Sequence, residues 1–117
     1  MELKYKIWLE EQGEQIFGDG IYRLLVLINK YGSINQAAAK EKMSYRQAWG
    51  KIKRTEGRLK VQLLERRIGG EDGGGATLTS EGEKLVKMYG DIICQVDALI
   101  NEVTKNQSEI FPDKLLK

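Results

Sequence analysis

Apolar and polar positions alternate at the start of the chain. Leu3, Tyr5, Ile7 and Leu9 face one way and Lys4, Lys6, Trp8 and Glu10 the other, which predicts a half-buried strand over residues 3–10. Gln12 and Gly13 predict a turn, and Gln15-Ile-Phe17 a short return strand. The period then lengthens: Ile21, Leu24, Leu25, Leu27 and Ile28 recur at helical spacing. A first helix is expected over residues 20–31, with Asp19 as N-cap and Gly32 as stop. Ser33-Ile-Asn-Gln36 has the form of a capping box, in which a Ser hydroxyl and a Gln side chain each satisfy an orphan backbone N–H. A short helix through Ala37, Ala38 and Ala39 to residue 42 should follow. Ser44-Tyr-Arg-Gln47 repeats the signature and opens another helix. Tyr45, Ala48, Trp49, Ile52 and Leu59 fall mainly on one side of it, and Arg46, Gln47, Gly50, Lys53 and Arg54 share the other.

Beyond this helix, Leu63-Leu-Glu-Arg-Arg-Ile68 reads as a strand, residues 69–75 as a mobile tip, and Ala76-Thr-Leu-Thr79 as the return strand. Thr79 or Ser80 then caps a long final helix. In it Leu85, Tyr89, Ile92, Val96, Leu99 and Val103 recur at heptad spacings, and Ile93 and Ile100 widen the stripe. From residue 85 to 103 the stripe runs about 27 Å, more than a small domain covers by itself, so a partner helix is its expected cover. All eight residues are assigned to a homodimer interface. The fold class expected is mainly α with small β hairpins. Residues 1–79 form a helix-turn-helix with a hairpin wing, 80–106 a dimerisation helix and 107–117 a loose tail.

Composition removes other classes. A length of 117 residues suits one domain with its own core. Cys94 is the single cysteine, so no internal disulfide forms, and with no histidine a zinc site lacks ligands. The absence of histidine also removes the usual general base, so no enzyme, metal or cofactor is expected. No apolar run has a membrane-spanning length and no signal peptide is evident, which predicts a cytoplasmic protein without a membrane partner.

Charge sharpens this picture, because the net +2 is unevenly spread. Residues 40–67 hold ten Lys and Arg against three Glu, a net +7 that leaves −5 for the remainder. Such a window suits a polyanion, since neutralising phosphates releases counterions. The plain alternative is a solvated basic helix face. Gly70-Glu-Asp-Gly-Gly-Gly75-Ala-Thr77 has the outer spacing of a phosphate loop, but Ala76 stands where that loop needs Lys, and Glu71 and Asp72 repel a triphosphate. Its glycines fit a hairpin tip instead. Trp49 lies on the apolar side of its helix and reads as packing rather than base stacking. Cys94 reads as inert, and the acidic pairs Glu10–Glu11 and Glu81–Glu83 as solvent-facing.

The element order is that of a winged helix-turn-helix. Within it, Gly32-Ser-Ile-Asn-Gln-Ala-Ala, Ser44-Tyr-Arg-Gln-Ala-Trp49, Leu64-Glu-Arg-Arg and the run from Gly69 to Leu78-Thr-Ser-Glu-Gly82 resemble the N-terminal DNA-binding domain of the molybdate-responsive ModE-type regulators. More distantly they are similar to the LysR-type winged helix. The resemblance spans residues 3–105, and its most specific part is the glycine-rich wing joined to Leu-Thr-x-x-Gly. It implies a homodimeric transcription regulator on double-stranded DNA. ModE-type regulators also carry C-terminal oxyanion-binding domains, whose molybdate ligands have no positions in these 117 residues. A stand-alone DNA-binding half is therefore expected, leaving a separate effector or sensor protein, control by abundance, or no sensing as open readings.

On this basis Tyr45, Arg46, Gln47 and Gly50 are expected at base edges, with Gln47 reading adenine and Arg46 guanine. Gln36, Ser44, Lys51, Lys53, Arg54, Arg66, Arg67 and Thr77 are expected at phosphates. The rival reading is a winged-helix module that binds protein and lacks intrinsic DNA specificity; the +7 window argues against it.

Overall fold

The computed structural model describes residues 3–67 and 75–107; the side chains of Arg67 and Gln107, the expected tip at 68–74 and the expected tail at 108–117 lie outside the described residues. The elements run β1 (Leu9–Glu11), β2 (Glu14–Phe17), α1 (Asp19–Tyr31), α2 (Ile34–Lys40), α3 (Tyr45–Leu59), β3 (Leu64–Arg67), β4 (Gly75–Leu78) and α4 (Ser80–Gln107). This is the expected class, helices with two small antiparallel hairpins, β1–β2 and β3–β4.

Helix α1 forms the centre. Its Leu24, Leu25 and Ile28 are fully buried among Ala37 and Ala38 of α2, Ala48 and Ile52 of α3, Leu64 and Leu78 of the second hairpin, and Tyr89 of α4. Each such Leu or Ile contributes about 1.5–3 kcal/mol on burial. The small side chains of Ala37 and Ala38 let α2 pack closely on α1. Thr79 ties the hairpin to α4: its Oγ1 accepts from Gly82 N at 3.0 Å and donates to Gln62 O at 2.6 Å. A Cβ on Gly82 would lie 2.5 Å from the Leu63 carbonyl oxygen, so only glycine fits this joint. The Leu-Thr-x-x-Gly run is therefore a structural hinge pin between wing and long helix.

Several local expectations change. Only Leu9–Glu11 of the expected first strand pairs, with β2. Residues 3–8 form no ladder, and the Tyr89 hydroxyl holds them by donating to Ile7 O at 2.7 Å. Alternation marked an extended, one-sided segment, whereas a ladder also needs a neighbour, and β2 is four residues long. Gly18 is the N-cap of α1 and makes no side-chain bond. Asp19 lies in the first turn, ion-paired with Arg23. Helix α2 ends at Lys40, because Lys42 adopts a left-handed φ of 56°. Of the two capping boxes, only that of Ser44 and Gln47 is complete; Ser33 accepts from Gln36 N without a return bond from the Gln36 side chain.

The largest change concerns α4. Tyr89 is fully buried inside its own domain, edge-on to Phe17 at 5.2 Å and 4.9 Å from Tyr22 between ring centroids. Leu85 and Ile93 also pack against that core. The dimer-interface expectation for Tyr89 is corrected, while Leu85 and Ile93 are covered only in part: a heptad stripe reports an apolar face, and its first turns lean on α1, β2 and the extended N-terminal segment. Farther along, Leu99 and Val103 are exposed, as is Met88 on the adjoining side. The 28 residues of α4 span about 42 Å, and the radius of gyration of 17.8 Å exceeds the roughly 13 Å of a compact chain this long, because the helix projects. Among the described residues no helix is long and apolar enough to cross a membrane.

Candidate nucleic-acid interface

Helix α3 presents the densest positive charge. Ala48, Ile52 and Thr55 turn inward, so Arg46, Gly50, Lys53 and Arg54 fall on the outward side. Among the described residues Arg46, Lys51 and Arg54 form no ion pair, whereas Lys53 meets Glu56 at 3.2 Å and Arg23 meets Glu41 at 2.7 Å. An unpaired basic face keeps its full field in solution.

The N-terminus of α3 is held firmly. Gln47 N donates to Ser44 Oγ at 3.1 Å, and Ser44 N donates to Gln47 Oε1 at 2.9 Å. Gln47 thus has its carboxamide oxygen occupied by the cap, while its Nε2 remains available as donor. Two-ended reading of adenine requires the second lone pair of the same oxygen. The cap fixes the orientation in which Gln47 is presented. Tyr45 and Arg46, which precede it in the first turn, are exposed. A Cβ added to Gly50 would meet nothing within 4 Å, so no packing inside the domain demands glycine there. Gln36 is exposed at the start of α2.

Along one edge, α3 is joined to the wing. Trp49 is half-buried, with the Lys53 ammonium 4.4 Å and the Arg66 guanidinium 4.8 Å from its ring centroid. Packing was the expectation for Trp49; the structure adds a platform on which two cations rest. Glu56 completes the joint: Oε2 accepts from Leu63 N at 2.8 Å, and Oε1 faces Lys53. Nothing in the spacing pointed to Glu56, although it is the sole acid in α3.

The expected wing contacts do not form one group. Arg66 pairs across the ladder with Ala76, on the side that faces Trp49, whereas Thr77 pairs with Glu65 on the opposite, exposed side. Two-residue alternation separates them. The Arg67 side chain lies outside the described residues. Lys51 is half-buried on the other edge of α3; a Cβ on Gly20 of α1 would approach its Nζ to 2.9 Å.

Residues 21–83 match the family described as bacterial regulatory helix-turn-helix protein, lysR family. The chain belongs to that family. The matched span runs from α1 through the Leu-Thr-x-x-Gly joint.

Among curated proteins, the chain is 45% identical over 67 residues to the transcriptional regulator ModE of Haemophilus influenzae, covering 57% of this chain and 26% of that protein. It is 35% identical over 98 residues to the molybdenum-pterin-binding protein MopB of Rhodobacter capsulatus, covering 84% and 36%. With the DNA-binding transcriptional dual regulator ModE of Escherichia coli K12 it shares 34% over 93 residues, covering 80% and 35%. The chain thus spans about a quarter to a third of the length of these relatives. The BenM DNA-binding domain, solved in complex with benA site 1 DNA, superposes with a TM-score of 0.60 at 24% identity, covering 76% of this chain and 94% of that one. That likeness speaks for the fold.

Proposed function

We propose that the chain is a sequence-specific, double-stranded DNA-binding transcriptional regulator that works in the cytoplasm as a homodimer on a pseudo-palindromic site. The observation that carries the reading is the outward face of α3, where Arg46 and Arg54 lack carboxylate partners among the described residues on either side of Gly50. An α-helix bearing such a face fits the major groove, and a bare glycine lets its backbone approach the bases. Tyr45, Arg46 and Gln47 read base edges. Ser44, Gln36, Lys51, Lys53, Arg54, Arg66 and Thr77 hold phosphates, and Arg67 is assigned with them from sequence alone. Ile92, Val96, Leu99, Ile100 and Val103 of α4, joined by Met88 and by the part-exposed sides of Leu85 and Ile93, meet a second copy. Two recognition helices then fall about 34–36 Å apart or a multiple of it.

Selection of duplexes from a random pool at two salt concentrations tests this. Enrichment of an inverted repeat is expected. Arg46→Ala should then relax the preference at one position per half-site and cost about 1–3 kcal/mol there. Failure of the wild-type chain to retain any duplex at low salt sinks the DNA reading and favours a protein-binding winged helix.

A further inference from the structure

The two edges of α3 differ in how their charges are employed. On the wing edge, Lys53 and Arg66 share the Trp49 ring, and Lys53 also meets Glu56. On the opposite edge stand Lys51, Arg54 and Arg58, spaced three and four residues apart and therefore stacked on successive turns. All three line one hollow of about 130 Å³, together with Gln15, Phe17 and Gly18 from the β2–α1 junction. Among the described residues none of the three has an ion pair. Arg58 is held in place without being neutralised: its Nη1 donates to the Gln15 backbone oxygen at 2.7 Å. A carbonyl orients the guanidinium and leaves its charge and remaining N–H donors facing outward.

We infer that Lys51, Arg54 and Arg58 form a second phosphate-binding edge, which grips the DNA strand across the major groove from the strand nearest the wing. This rests on the proposed insertion of α3 into duplex DNA. The dimensions allow it. A helix with its side chains is about 10–12 Å across and the groove about 12 Å wide, so the two edges face the two phosphate rims. Arg58 is the new member. Its bond to Gln15 makes the first hairpin, which has no other evident role in binding, the support that aims it.

The test measures the salt dependence of duplex binding for the full chain and for Arg54→Ala, Arg58→Ala and Arg66→Ala, together with phosphate-ethylation interference on a duplex recovered by selection. Arg54→Ala guards against a folding defect in Arg58→Ala, since Arg54 has no hydrogen bond or ion pair to lose among the described residues. Arg54→Ala and Arg58→Ala should each flatten the slope of log K against log salt by about 0.9. They should also erase interference on the strand opposite the one that Arg66→Ala affects. If wild-type protein binds duplex and only Arg66→Ala alters the slope, the second edge is refuted while the DNA reading stands. If millimolar inorganic phosphate binds wild type, is lost in Arg58→Ala, and leaves duplex affinity unchanged, the hollow is a small-anion site and the inference is likewise overturned. Absence of duplex binding by wild type ends both.

Discussion

The two halves of α4 carry the same apolar stripe and meet opposite surroundings. In the first half, Leu85, Tyr89 and Ile93 pack into the domain, and Gly82 brings the helix against the Leu63 carbonyl. In the second half, Leu99 and Val103 stay more than two-fifths exposed, and Asp97 and Ile100 border an open groove of about 800 Å³ beneath the extended N-terminal segment. One helix therefore does two jobs: it closes a core, then offers an uncovered seam. Its charge pattern does not distinguish them; what lies beside it does.

Substitutions can separate the halves. Replacing Leu99 and Val103 together by Asp should weaken self-association at least about a hundredfold, or about 2.7 kcal/mol, with little change in subunit unfolding. Sedimentation checks this, and an unaltered dimer would remove the distal seam from the interface. Gly82→Ala should act on the near half alone, lowering unfolding stability by about 2 kcal/mol because its Cβ meets backbone rather than a movable side chain. A urea titration that matched wild type would show that the joint yields.

Smaller effects follow. Tyr89→Phe keeps the ring and removes the bond to Ile7, at a cost of about 1 kcal/mol and with faster amide exchange around residues 7–9. Burial, above all, pushes the Tyr89 phenol above its usual range. Its folded value exceeds its unfolded one, so its contribution is complete below about pH 10 and is lost as the pH climbs through the folded value. Wild type should lose stability in that alkaline window, and Tyr89→Phe should lose less. Gly50→Ala should raise stability by up to about 1 kcal/mol, since a Cβ there meets nothing, while weakening duplex binding. Improved binding would mean that Gly50 does not face the DNA closely.

Much of the fold was legible because its signals are local. The spacing of Ile21, Leu24, Leu25 and Ile28 located α1 to within a residue, and Ser33 and Ser44 marked the starts of α2 and α3. A capping side chain acts within three residues, so its pattern survives in one dimension. The candidate site was legible as a list of cations and less so as a geometry. Arg66 and Thr77 are eleven positions apart and lie on opposite faces of one hairpin, a matter of register. Glu56 reads as a surface acid until Leu63 and Leu64, at the entry to β3, supply two N–H groups to it.

By itself, the amino-acid order determined where helices begin, which face of each is apolar, and that a basic segment is concentrated in residues 40–67. Only the tertiary structure decided which apolar face is already covered and which cation is already engaged. Tyr89 and Val103 have the same place in a heptad, yet one is buried and the other exposed, and Arg58 is aimed by a carbonyl 43 residues away. Burial and pairing depend on what arrives from elsewhere in the chain, and spacing along a helix carries no record of that.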